Sequence, residues 1–122
     1  MPTSVLVVDD SPMARKMLIK TFPNTWDIEI TQAGNGMEAL EAYRAGKAEV
    51  MFLDLTMPLI DGYTVLERLQ QEGLNTFVIV VSADVQPMAQ DRVKELGAMA
   101  FIKKPINPGQ VAAILSQYGI QL

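Results

Sequence analysis

Three aspartates, a serine and a lysine stand at the ends of separate hydrophobic runs, and side chains of these types gathered together suit phosphoryl chemistry. Asp9 and Asp10 follow Val5-Leu6-Val7-Val8, Asp54 follows Val50-Met51-Phe52-Leu53, Ser82 closes the run from Phe77 to Val81, and Lys103-Lys104 follow Ala100-Phe101-Ile102. If the runs are parallel strands of one open sheet, their carboxyl ends share an edge, which is where α/β folds build ligand sites. Like charges crowded in one pocket are unfavourable unless a cation sits among them. An oxygen-only donor set with few protein ligands suits Mg²⁺, which keeps several of its waters. A carboxylate that displaces an amine at phosphorus also needs the charge on the phosphoryl oxygens neutralised, and Mg²⁺ with an ammonium group does this.

Composition removes the main competitors. The chain has no cysteine and no histidine, so disulfides, thiolate metal sites, a cysteine nucleophile, a Ser-His-Asp triad and a histidine-rich zinc site are closed off. Any phosphohistidine in the reaction must belong to another protein. Ten basic against fourteen acidic residues give a net charge of −4, which opposes direct binding to nucleic acid or an anionic membrane and points to protein partners. No apolar stretch approaches a membrane span, and Met1-Pro2-Thr3-Ser4 lacks the features of a signal peptide, so a cytoplasmic protein is expected. At 122 residues the chain reads as one domain, 1–122, able to bury roughly two-thirds of its unfolded surface.

The elements that must position these residues alternate as βα units. Strands are expected near 4–9, 27–32, 49–53, 77–82 and 99–103. Ser11-Pro12 and Asn107-Pro108 each supply an N-cap followed by proline where its missing N–H is not needed. Asn35 with Glu38 resembles a capping box, and Asp61-Gly62 should open the third helix. The fourth helix is expected to start between Asp84 and Pro87 and to stop at Gly97. Ile28 and Ile30 alternate with Asp27, Glu29 and Thr31, which suits an edge strand exposed on one side. The expected fold is therefore α/β, a doubly wound three-layer sandwich with a five-stranded parallel sheet in the order 2-1-3-4-5 and a crevice between strands one and three. Most of the eight methionines are expected to fill core space, the alternative being an adaptable binding surface that includes Met13, Met88 and Met99.

Two other phosphate-handling readings fit less well. Gly34-Asn35-Gly36-Met37-Glu38-Ala39 imitates a dinucleotide fingerprint, but it follows an edge-type strand, and Asp9 and Asp10 would face a pyrophosphate with the wrong sign. A haloacid-dehalogenase-type phosphatase needs a second acid two residues after its nucleophile, where this chain has Thr56, and a longer chain.

The segments Val7-Val8-Asp9-Asp10-Ser11, Phe52-Leu53-Asp54-Leu55-Thr56-Met57-Pro58, Asp61-Gly62, Val80-Val81-Ser82-Ala83 and Lys104-Pro105 resemble, in order and spacing, the response-regulator receiver family. The resemblance covers Val5 to about Gly119 and implies a CheY-like, flavodoxin-type fold. It implies that Asp54 is the phosphoacceptor, taking the phosphoryl group of a histidine kinase or phosphotransfer protein. Asp9, Asp10, Asp54 and the backbone carbonyl of Thr56 would hold Mg²⁺, Ser82 would donate to a phosphoryl oxygen, and Lys104, selected over Lys103 by the proline after it, would pair with the phosphate.

Phe101, three residues before that lysine, occupies the position of a switch aromatic that follows Ser82, while Thr56 and Asp84 occupy positions that modulate phosphate lifetime. Such a domain is no enzyme beyond its own phosphorylation and slow dephosphorylation, and works as a monomer or phosphorylation-dependent dimer on a downstream protein or a fused output domain. The chain departs from the commonest pattern at Ser82, where threonine is frequent, and at Phe101, where tyrosine is familiar. The alternative is a pseudo-receiver that acts as a binding or dimerisation module without being phosphorylated.

Overall fold

A computed structural model describes residues 2–83 and 86–120. Five strands alternate with five helices: β1 (Thr3–Val8), α1 (Pro12–Lys20), β2 (Ile28–Ala33), α2 (Gly36–Arg44), β3 (Val50–Leu53), α3 (Gly62–Gln71), β4 (Phe77–Ser82), α4 (Ala89–Glu95), β5 (Ala100–Lys103) and α5 (Pro108–Gln117). The strands form one parallel sheet in the order β2-β1-β3-β4-β5, as expected. Among the described residues no helix is long and apolar enough to cross a membrane.

Side chains alternate across a strand, so each central strand feeds two cores. Leu6, Val8, Met51, Leu53, Val78 and Val80 pack with Leu40 of α2, Leu66 and Leu69 of α3 and Val93 of α4. Val5, Val7, Val50, Phe52, Ile79, Val81 and Ile102 pack on the other face with Leu18 of α1 and Val111 and Leu115 of α5. Full burial of each such side chain contributes about 1.5–3 kcal/mol, which is why these uninterrupted apolar runs occupy the middle of the sheet.

The helix starts follow the capping chemistry. The Ser11, Asn35 and Asp61 side chains accept from the backbone N–H three residues on, and Asn107 accepts from Gly109 N. Glu38 departs from the reciprocal bond of a capping box: its Oε1 accepts from Gly34 N at 2.7 Å, tying the end of β2 to α2. The fourth helix begins at Ala89 rather than between Asp84 and Pro87, and its N-cap, Met88, makes no side-chain bond. Met88 lacks the side-chain acceptor that would fix where the helix starts.

Two expectations about burial fail. Ile30 is 37% exposed although its alternation with polar residues placed it on the covered side, and β2 is an edge strand of the sheet. Met13, Met17, Met37, Met88 and Met99 are exposed, while Met51 is fully buried. The β-branched and leucine side chains of the strands already fill both cores, so methionine falls mostly on outer helix faces and turns.

Candidate metal and phosphoryl site

The sheet's hydrogen bonding runs one residue past three strands and so fixes the site. Asp9 N donates to Ala33 O at 3.1 Å, Asp54 N to Val8 O at 3.0 Å and Lys104 N to Ser82 O at 3.0 Å. Continuing the alternation of each strand puts Asp9 with Val5 and Val7, Asp54 with Val50 and Phe52, and Lys104 with Ala100 and Ile102, all on the α1/α5 side. Lys103 has the opposite parity and is exposed, whereas Lys104 is partly buried. A period of two therefore decides between the adjacent lysines.

Lys104 Nζ lies 2.8 Å from Asp9 Oδ2 and 3.9 Å from Asp54 Oδ1. Asp9 Oδ1 accepts from Ser11 N at 2.9 Å, so this carboxylate is held on both oxygens. Asp54 Oδ1 accepts from Leu55 N at 2.9 Å. Asp9 and Asp54 are buried, while Asp10 is exposed at the lip of the turn after β1. Ligand oxygens of all three aspartates lie within 4.8 Å of one another.

Burial pushes the Asp54 carboxyl up to about 6, from an ordinary 3.8. Lys104 opposes this, Asp9 adds to it, and the Thr56 and Leu55 N–H groups hold it down. Desolvation thus outweighs the one ammonium group, and the ionised acid is short of positive charge. Three hard oxygen donors within 4.8 Å, with thiolate and imidazole donors absent from the chain, fit Mg²⁺.

Other sequence-marked residues fall around this centre. Ser82 is fully buried at the last position of β4 and shares the parity of Val78 and Val80, on the α2/α3/α4 side. Phe101, opposite Val80 in the register, is partly buried against the same core. Thr56 is exposed, and its backbone N–H points to Asp54. Asp84 lies outside the described residues.

Two site-building residues escaped the sequence reading. Gly62 was read as a helix opener and as part of a family segment but given no role at the site, yet a Cβ there would collide with the Asp54 carbonyl and come within 2.8 Å of Leu55 Cα, so its lack of a side chain lets α3 close on the acceptor loop. Its N–H donates to Leu55 O at 2.9 Å. The Asp-Gly pair was the available signal. Arg15 of α1, whose Nη1 donates to the Asp9 carbonyl, gave none. Gly36 of the dinucleotide-like segment has a packing role instead, since a Cβ on it would lie 2.8 Å from Ile60 O.

Comparison with known proteins places this arrangement. Residues 5–116 match the family model described as response regulator receiver domain. The chain is 32% identical over 113 residues to the chemotaxis protein CheY of Thermotoga maritima, covering 93% of this chain and 94% of that protein. It is 40% identical over 111 residues to a protein-glutamate methylesterase/protein-glutamine glutaminase of Syntrophomonas wolfei, covering 88% of this chain and 31% of that protein. The chain thus spans about a third of the latter's length. Among solved structures, CheY in the CheX-CheY-BeF3-Mg+2 complex from Borrelia burgdorferi superimposes with a TM-score of 0.86 at 31% identity, over 97% of this chain and 90% of that one. The chain belongs to the response regulator receiver domain family, which is consistent with two-component signalling.

Proposed function

We propose that Asp54 accepts a phosphoryl group from a phosphohistidine on a sensor kinase or phosphotransfer protein, and that the resulting acyl phosphate changes the affinity of this domain for a protein partner or an attached output domain. The observation that carries this reading is the convergence of three carboxylates within 4.8 Å with Lys104 Nζ at 2.8 and 3.9 Å from two of them.

A carboxylate oxygen of Asp54 attacks phosphorus, the donor's N–P bond breaks, and its electron pair leaves with the imidazole. The Leu55 and Thr56 N–H groups and the β3 ladder fix the attacking carboxylate, so little reorganisation remains at the moment of transfer. Asp9, Asp10, Asp54 and the Thr56 carbonyl would hold Mg²⁺, which when bound neutralises charge on the transferring phosphoryl oxygens. Lys104, already within 3.9 Å of Asp54, can transfer its pairing from Asp9 to a phosphoryl oxygen.

Ser82 is the coupling element. Its strand lies beside β3, its hydroxyl can donate to a phosphoryl oxygen, and its movement acts on the layer that Phe101 packs against. The phosphate adds charge and acceptor oxygens, and β4 with the face around α4 and β5 moves to meet them. Thr56, exposed beside the acceptor, and Asp84, by its position in the sequence, set how long the acyl phosphate survives. On this reading residues 1–122 act as one signalling unit, in the cytoplasm where kinases meet their substrates, and not as an enzyme on an external substrate.

Intact-mass measurement after incubation with acetyl phosphate, with and without Mg²⁺, tests this on the native chain and on Asp54→Asn. One Mg²⁺-dependent phosphoryl addition, lost in the variant, is expected. No addition under any condition would support the pseudo-receiver instead.

A further inference from the structure

Asp10 is exposed, so its carboxylate is placed over the site by the backbone turn between β1 and α1. The peptide that joins Asp9 to Asp10 sets the direction in which Asp10 leaves the sheet. Among the described residues one side chain grips that peptide: Arg15 Nη1 donates to the Asp9 carbonyl. Arg15 is itself held from behind, since its Nε donates to Gln32 Oε1 of β2 at 2.9 Å. Gln32 precedes Ala33, whose carbonyl accepts from Asp9 N. Arg15 therefore bridges α1, the aspartate turn and the edge strand. The guanidinium lies against the turn after β2, where a Cβ on Gly34 would sit 3.6 Å from Arg15 Nη1, an ordinary contact distance.

Asp9 is thus held by two cations that differ in kind. Lys104 occupies a carboxylate oxygen at 2.8 Å, which makes it a competitor for any metal that uses that oxygen. Arg15 occupies a carbonyl and leaves the carboxylates open. Arg15 and Lys104 line the same cavity of about 10 Å³ beneath Asp9, with Val7, Leu18 and Ile106. That is space for a single water at most, so the turn has little slack on its inner side.

We propose that Arg15 is a positioning residue for the divalent metal: it orients the Asp9–Asp10 peptide so that both carboxylates face Asp54, and it holds that orientation when Lys104 moves to the phosphate. The inference rests on the metal and phosphoryl reading above. Its test uses Mn²⁺, with free ion counted by electron paramagnetic resonance, on the unphosphorylated native chain and on Arg15→Gln, Arg15→Lys and Gln32→Ala.

Two effects of removing the guanidinium have opposite signs. A nearby positive charge acting only through its field repels Mn²⁺, so its loss would tighten binding. Loss of a positioning group that orients metal ligands weakens binding, about tenfold or more. Arg15→Gln is expected to weaken Mn²⁺ binding about tenfold, with Arg15→Lys between it and the native chain because the single bond to the carbonyl can survive. Unchanged or tighter binding in Arg15→Gln, with a native chain that binds Mn²⁺, overturns the role of Arg15 alone. A native chain that binds no Mn²⁺ overturns the metal reading and the role of Arg15 with it. Should Arg15→Gln lose its fold, Gln32→Ala removes only the rear anchor on an exposed edge strand, and the same direction of change decides.

Discussion

Replacing Asp54 by asparagine is expected to stabilise the metal-free protein at pH 7.5 and to leave its stability nearly unchanged near pH 4. Moving the carboxyl from 3.8 to about 6 corresponds to about 3 kcal/mol against the ionised form at the exchange rate of 1.36 kcal/mol per pH unit. Water at the open mouth of the site screens part of this, so about 1.5 kcal/mol is a sound expectation. Between pH 3.8 and about 6 the native protein binds more protons at Asp54 than the unfolded chain does. Stability from this group is therefore complete below 3.8, is lost as pH rises through 6, and stays lost above it.

Asparagine keeps a carbonyl oxygen for Leu55 N and removes the charge, so the variant should melt roughly 5 °C higher at neutral pH in the presence of EDTA. Trp26 is 5% exposed and packs edge-on against Phe22 at 5.3 Å, so its fluorescence can follow unfolding at each pH. A variant that is less stable than the native chain at pH 7.5, or an advantage that persists undiminished at pH 4, would refute the argument that burial dominates at Asp54.

Lys104→Gln frees Asp9 Oδ2 from its ammonium partner, so Mn²⁺ should bind several-fold tighter while acetyl phosphate labelling slows, a split measurable on the same preparations. Gly62→Ala forces a methyl group into the Asp54 carbonyl and Leu55, and should lower stability by about 2 kcal/mol in urea titration, with phosphorylation also impaired because the acceptor loop must shift. Phe52→Ala removes a buried ring that touches Phe22 and Trp26 and should lower stability by about 3–5 kcal/mol in the same titration.

The legible part of this protein was whatever depends on strand periodicity and strand ends. Uniformly apolar runs announced β1, β3 and β4, and their parity carries Asp9, Asp54 and Lys104 to one side of the sheet. Ser11, Asn35, Asp61 and Asn107 announced their helices, because capping is a local bond between neighbours in sequence. The unread part depends on how one element meets another. Glu38 bonds Gly34 instead of completing a capping box because β2 ends beside it. Arg15 joins the site through the Asp9 carbonyl and is held there by Gln32, seventeen residues away on another element. Ile30 and the exposed methionines were misjudged because residue type reports a preference for burial, while the position of the edge strand and the outer helix faces decides whether burial is available.

The central claim is that Asp54 carries the phosphoryl group, and chemical trapping tests it most directly. After reaction with acetyl phosphate and Mg²⁺, borohydride reduces an aspartyl phosphate to homoserine, which peptide mass spectrometry locates. Homoserine at position 54, absent without Mg²⁺ or phosphodonor, is the predicted result. Homoserine at Asp9 or Asp10, or none at any position in a chain that gains phosphoryl mass, would contradict the account.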